Sequence, residues 1–325
     1  CLAMLFGLHP LYAYGIVGLG AAAYSPAKYG ILTEYLPPSK LVVANSWMEG
    51  ATVAAIVLGA IIGGILLNPA LSTSLLEKWQ LGDAISVSTF AIIAVTLLYV
   101  SAAVFNLFIP HVAIDHKLPK KNPLYVLHDF WHAFVLLWRD PQGQISLAVT
   151  TLFWGAGATL RLVVLTWAGL ILKFDIERAT QLTAVVAVGI AAGAVAAGKF
   201  VTLEKSVKIL PAGILMGFTV MSMVLDDDWR IAIALLFVIG ALGGFFVVPM
   251  NALLQHRGHL LMGAGHSIAV QNFNENISIL LLLGGYAMMI KSGLHINTIT
   301  IVFGAFVSLS MWLIYYRYQR VIASS

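Results

Sequence analysis

Few residues in this chain could do chemistry, and most of those stand in apolar surroundings. Lys28 closes the segment GAAAYSPAK, Glu49 falls in ANSWMEG one apolar run later, and Arg161 interrupts FWGAGATLRLVVLTW. Asn251 follows Pro249 in GGFFVVPMN, and Glu275 lies in VQNFNEN. Lys28 is about eight residues from the end of its run, roughly 12 Å deep at 1.5 Å per residue if that run is a membrane helix. A bare charge at the centre of a bilayer costs at least about 2.5 to 3.5 kcal/mol, so such groups should face one another or a wet cavity. Lys28 either draws an anion into a polar pathway or pairs with Glu49 to lock two helices. Arg161, whose planar fork suits phosphate or carboxylate, meets a headgroup, a gating acid or a structural ion-pair partner.

Apparent enzyme signals fail on inspection. GAVAAGKF (Gly193 to Phe200) has the glycines and lysine of a phosphate-binding loop, but Phe200 stands where a hydroxyl must hold magnesium. Gly189, Gly193 and Ala197 read better as small residues at helix contacts. HDFWH places His128 and His132 on one helix face without the glutamate of a zinc hydrolase. Hydrolase and acyltransferase motifs are absent, and no cofactor, metal or nucleic acid is expected.

The elements that must position these residues follow from composition. Of 325 residues only 10% are charged and 60% are hydrophobic, and mean hydropathy is +0.92. Soluble domains carry roughly 25% charge, so the chain reads as an all-α integral membrane protein. The single cysteine, Cys1, excludes an internal disulfide. Apolar runs predict spans near 10–36, 41–67, 85–109, 146–172, 180–201, 209–225, 229–254, 264–290 and 297–316, with a stub before residue 9 that suggests a start inside a helix. Alternating the loops puts eleven basic residues on one side: Lys40, Lys117, Lys120, Lys121, Arg139, Lys199, Lys205, Lys208, Arg257, Arg317 and Arg320. Lys78, Lys173, Arg178, Arg230 and Lys291 fall on the other, so the C-terminus is expected to be cytoplasmic.

The connector 110–145 carries LYVLHDFWHAFVLLW, with Leu124, Leu127, Trp131, Phe134 and Trp138 at helical spacing. It is either an amphipathic helix in the inner interface, with Lys117, Lys120 and Lys121 near headgroups, or a linker helix packed on the bundle. GAAAYSPAK and GGFFVVPMN share a glycine, a proline six residues on and a polar residue two further. The register then aligns Asn45 with Gln271 and Glu49 with Glu275. A repeat of this kind, in the same orientation, fits parallel halves about an axis along the membrane normal. Gly18, Gly20, Gly240, Gly243 and Gly244 around the two prolines serve either a lateral opening or tight packing.

The segments AAAYSPAKYGILTEYLP, ANSWMEGATVAAIVLGAIIGG, LFWGAGATLRLVVL, GALGGFFVVPMNALLQHRG and GAGHSIAVQNFNEN resemble the bacterial lysophospholipid transporter family of the major facilitator superfamily. The resemblance runs nearly end to end. It implies a bundle of two pseudo-symmetric six-helix halves with the first incomplete: 1–109 as the partial first half, 110–145 as a cytoplasmic linker and 146–325 as the second half. It also implies a carrier, not an enzyme, that moves lysophospholipids such as lysophosphatidylethanolamine from the outer to the inner leaflet of the inner membrane. A partner acyltransferase-acyl carrier protein synthetase would re-acylate them there. Lys28 would contact the headgroup, and Glu49, Arg161, Asn251 and Glu275 would line or gate the cavity. A small-solute or drug exporter is the alternative.

Overall fold

The computed structural model describes residues 1–67, 86–109, 123–225 and 227–324, with side chains at a few helix ends left aside. Every regular element among them is helical, as a bilayer requires of a chain that must satisfy its own backbone polar groups. In order they are α1 (Leu2–Leu5), α2 (Pro10–Tyr35), α3 (Pro38–Leu67), α4 (Val87–Asn106), α5 (Pro123–Arg139), α6 (Pro141–Leu170) and α7 (Ile176–Phe200). There follow α8 (Pro211–Ser222), flanked by 3-10 turns at Leu203–Ile209 and Met223–Leu225, then α9 (Trp229–Met262), α10 (Ala264–Lys291) and α11 (Ile296–Ser324). Eight helical segments among the described residues are long and apolar enough to cross a membrane. The expected span at 10–36 is the continuous helix α2 but is not one of the eight, because Tyr12, Tyr14, Tyr24, Ser25, Lys28 and Tyr29 dilute its hydropathy.

Several expected boundaries move. The helix predicted from 146 starts at Pro141: Asp140 caps it, accepting from the Gly143 amide at 2.7 Å, and proline suits the first helical position. Asp175 and Asp228 likewise cap α7 and α9, accepting from Arg178 and Arg230 amides at 2.8 Å. The helix predicted to end at 254 runs on to Met262 and breaks at Gly263, whose φ of 91° favours glycine. Arg257, expected in a loop, therefore lies on α9 and grips Asp140 with two bonds, one of them from Nε at 3.0 Å. Burial alone would push the Asp140 carboxyl up, but the Arg257 hydrogen bonds and charge, with backbone amides at the helix start, hold it below the usual carboxylate range. Lys78, Lys117, Lys120 and Lys121 lie outside the described residues.

The chain forms two compact units, residues 1–24 with 54–115 and residues 25–53 with 116–325. In the first, α1, α4 and the adjoining parts of α2 and α3 surround an apolar cavity of about 360 Å³ lined by residues including Ala13, Tyr14, Ile92 and Tyr99. Gly18 and Gly20 there face open space. In the second, α6, α7 and α9 enclose a core containing Val149, Val163, Trp167, Leu236 and Met250. Gly189 and Gly193 of α7 meet the α9 backbone at Phe237 and Ala241, while Gly240 and Gly244 of α9 meet Val186 and Ile190 of α7. These four glycines are contact points between two backbones, with no room for a β-carbon. Gly243 faces Phe153 instead, where an added Cβ would stand 3.0 Å from the ring.

Within the second unit, α5 packs through Ala133 and Leu137, which join Leu147, Leu254 and Val270 in a small core. Leu127 and Trp131, expected on one stripe with Phe134 and Trp138, stay exposed, whereas those two are partly buried.

Candidate functional site

The polar residues of α2, α3, α9 and α10 converge within the second unit. Helical spacing sets this up: Asn45 and Glu49 stand one turn apart on α3, and Gln271 and Glu275 repeat that spacing on α10. Gln271 donates from Nε2 to Asn251 Oδ1 at 2.9 Å and to Glu275 Oε1 at 2.7 Å. Asn251, Gln271 and Glu275 are 8%, 7% and 9% exposed, so this chain of amide and carboxylate is buried and internally satisfied.

Glu49, equally buried, accepts no hydrogen bond among the described residues. It lies in electrostatic range of Lys28 and of Glu275, and the Tyr29 phenol feels both carboxylates. Lys28 is half-buried, with Nζ 5.1 Å from the Tyr29 ring centroid, and makes no ion pair within 4 Å among the described residues. The site thus holds two carboxylates, one ammonium, a phenol and two amides. Such a set can take a charged or zwitterionic polar group from water, with Lys28 as its cation.

A second polar contact lies beside the first. Asn45 and Gln255 exchange two hydrogen bonds, at 2.8 and 2.9 Å, and Asn45 also donates to the Leu41 carbonyl at 2.9 Å. Ser25 reaches Asn272 at 3.5 Å, and Glu34 lies 3.4 Å from His259. Four of the five sequence-derived residues, Lys28, Glu49, Asn251 and Glu275, come together here. Arg161 does not join them: it is exposed on α6 and has no ion pair within 4 Å among the described residues. Tyr29, Gln255 and the bridging part of Gln271 are additions. Gln271 was marked by the repeat, Tyr29 only by standing next to Lys28, and Gln255 by nothing in the pattern.

Comparison with known proteins places this arrangement in a family. The profile described as Major Facilitator Superfamily matches residues 1–282. The chain belongs to the Major Facilitator Superfamily. Within that superfamily it is 45% identical over 296 residues to the lysophospholipid transporter LplT of Yersinia enterocolitica, covering 91% of this chain and 69% of that one. It is 44% identical over 307 residues to LplT of Escherichia coli O1:K1, covering 94% and 73%, and 46% identical over 291 residues to LplT of Serratia proteamaculans, covering 89% and 69%. Among solved structures, a bacterial homologue of the iron transporter ferroportin in an outward-facing state aligns with a TM-score of 0.60 at 13% identity, over 93% of this chain and 69% of that one. That likeness shows a shared fold alone.

Proposed function

We propose that this chain carries lysophospholipids, lysophosphatidylethanolamine among them, from the outer to the inner leaflet of a bacterial inner membrane. The observation that carries the reading is the 44–46% identity, across about nine tenths of the chain, to proteins named lysophospholipid transporters. The polar cluster supplies a physical rationale. A lysolipid headgroup carries a phosphate, and Lys28 is the cation of the cluster; Glu49, Asn251 and Glu275 line the same place and would hold the rest of the headgroup. Arg161, exposed within a membrane-length helix, is a second cation for a phosphate or for a gating acid.

In this reading residues 1–109 are the partial first half, 146–325 the second half and 110–145 the cytoplasmic linker, with the C-terminus cytoplasmic. The product is handed to an acyltransferase-acyl carrier protein synthetase, and the chain itself is a carrier with no catalytic role. Labelled lysophosphatidylethanolamine added outside vesicles that contain the protein should become protected in the inner leaflet faster than in empty vesicles. Equal rates, with uptake of a water-soluble solute instead, would sink the lipid reading. Reporter fusions within the connector and at the C-terminus should both report the cytoplasm.

A further inference from the structure

Outside the polar cluster, α5 carries exposed apolar side chains on a short helix that is not one of the membrane-length segments. Successive residues of a helix turn by about 100°, which sorts its side chains into three flanks. Phe130, Ala133, Phe134 and Leu137 form the first, facing the bundle: Phe130 and Phe134 stand edge-on to Phe273 of α10 at 5.3 and 6.3 Å between centroids. His128, His132 and Arg139 form a polar flank, all exposed. Between them lies a third flank that is apolar yet uncovered, with Leu127 67% and Trp131 63% exposed. Trp131 is held in place, stacked on Phe134 at 5.3 Å with planes 6° apart.

We propose that this third flank is a lipid-docking surface, with Leu127 and Trp131 seated at the headgroup boundary of the leaflet and the histidine flank in water. Continuity identifies the occupant. Phe273, against which α5 packs, begins a stripe of exposed apolar residues along α10, namely Ile277, Leu280, Leu281 and Met288. That helix is long and apolar enough to cross a membrane, so a bilayer that covers the stripe ends beside α5. An indole with one apolar side and a wet edge suits that depth. The exposed polar flank of His128, His132 and Arg139 completes the pattern of a helix lying in the interface plane. Phe273 also stands two residues from both Gln271 and Glu275, so α5 is bolted to the helix that carries half of the polar cluster.

The test uses the full chain in bilayer nanodiscs of phosphatidylethanolamine and phosphatidylglycerol. Cys1→Ser removes the only cysteine, and Leu127→Cys or His132→Cys then takes a nitroxide label. The Leu127 label should collide several-fold more readily with oxygen than with a water-soluble nickel reagent, and the His132 label should show the reverse preference. A Leu127 label as open to nickel as the His132 label places the flank in water and overturns the proposal. One closed to both reagents means that protein covers it, which overturns it equally. Trp131→Cys, at the same flank, repeats the measurement should the Leu127 variant fold poorly.

Discussion

Replacing Gln255 by leucine should be far more damaging than replacing Gln255 and Asn45 together. Asn45 is 3% exposed and Gln255 2%, and they exchange two hydrogen bonds of 2.8 and 2.9 Å. Gln255→Leu leaves the Asn45 carbonyl oxygen and one amide hydrogen without partners, while the bond to Leu41 survives. Each unsatisfied buried group costs about 1 to 3 kcal/mol, so the loss is roughly 2 to 6 kcal/mol, at least about 25-fold in the folded-to-unfolded ratio. Asn45→Leu strands both polar ends of Gln255 for a similar loss. The double variant leaves no stranded group and returns most of either loss, giving a coupling of about 2 kcal/mol or more. The assay is reversible unfolding of the purified protein in detergent, read for all four members of the cycle. Two single losses that simply add would refute the reasoning, since independent sites do not share a hydrogen bond.

Lys28→Ala should lower lysophospholipid flipping about tenfold or more while leaving membrane yield intact, as expected for loss of a charge-assisted contact worth roughly 1.5 to 3 kcal/mol; normal flipping removes Lys28 from the site. If Lys28 instead serves only to lock Glu49, yield falls and the double change Lys28→Ala with Glu49→Ala restores it. Gly193→Ala, whose Cβ meets the Ala241 backbone, should destabilise by about 1 to 3 kcal/mol, whereas Gly18→Ala, facing open space, should be neutral or slightly stabilising in thermal unfolding. Asp140 has a folded pKa below its ordinary value of 3.8, so its stabilisation is full above that pH and is lost as pH falls towards the folded value. Acid titration of unfolding should therefore show a loss of stability below about pH 4 that Asp140→Asn lacks, from a lower starting point.

The sequence by itself determined that the chain is a helical membrane protein, because a bilayer leaves a run of some twenty apolar residues no other way to satisfy its backbone. It also marked Lys28, Glu49, Asn251 and Glu275, since charge and amide in apolar surroundings stand out and the repeat sets them in matching places. The small-residue spacing of Gly189 and Gly193 was legible as a contact, though its partner on α9 was not. Only the tertiary structure decided which polar residues meet. Gln255 and Arg257 read as the start of a loop because they are polar; they continue α9 because Asn45 and Asp140, far away in sequence, satisfy them. Arg161, like Lys28, interrupts an apolar run, yet it stands exposed on α6 and outside the cluster. Likewise α5 showed one amphipathic pattern, and packing against Phe273 divided it into a buried flank and an exposed one. Periodicity records which side of a helix is apolar, but the choice of neighbour depends on contacts between distant segments, and no local pattern encodes those.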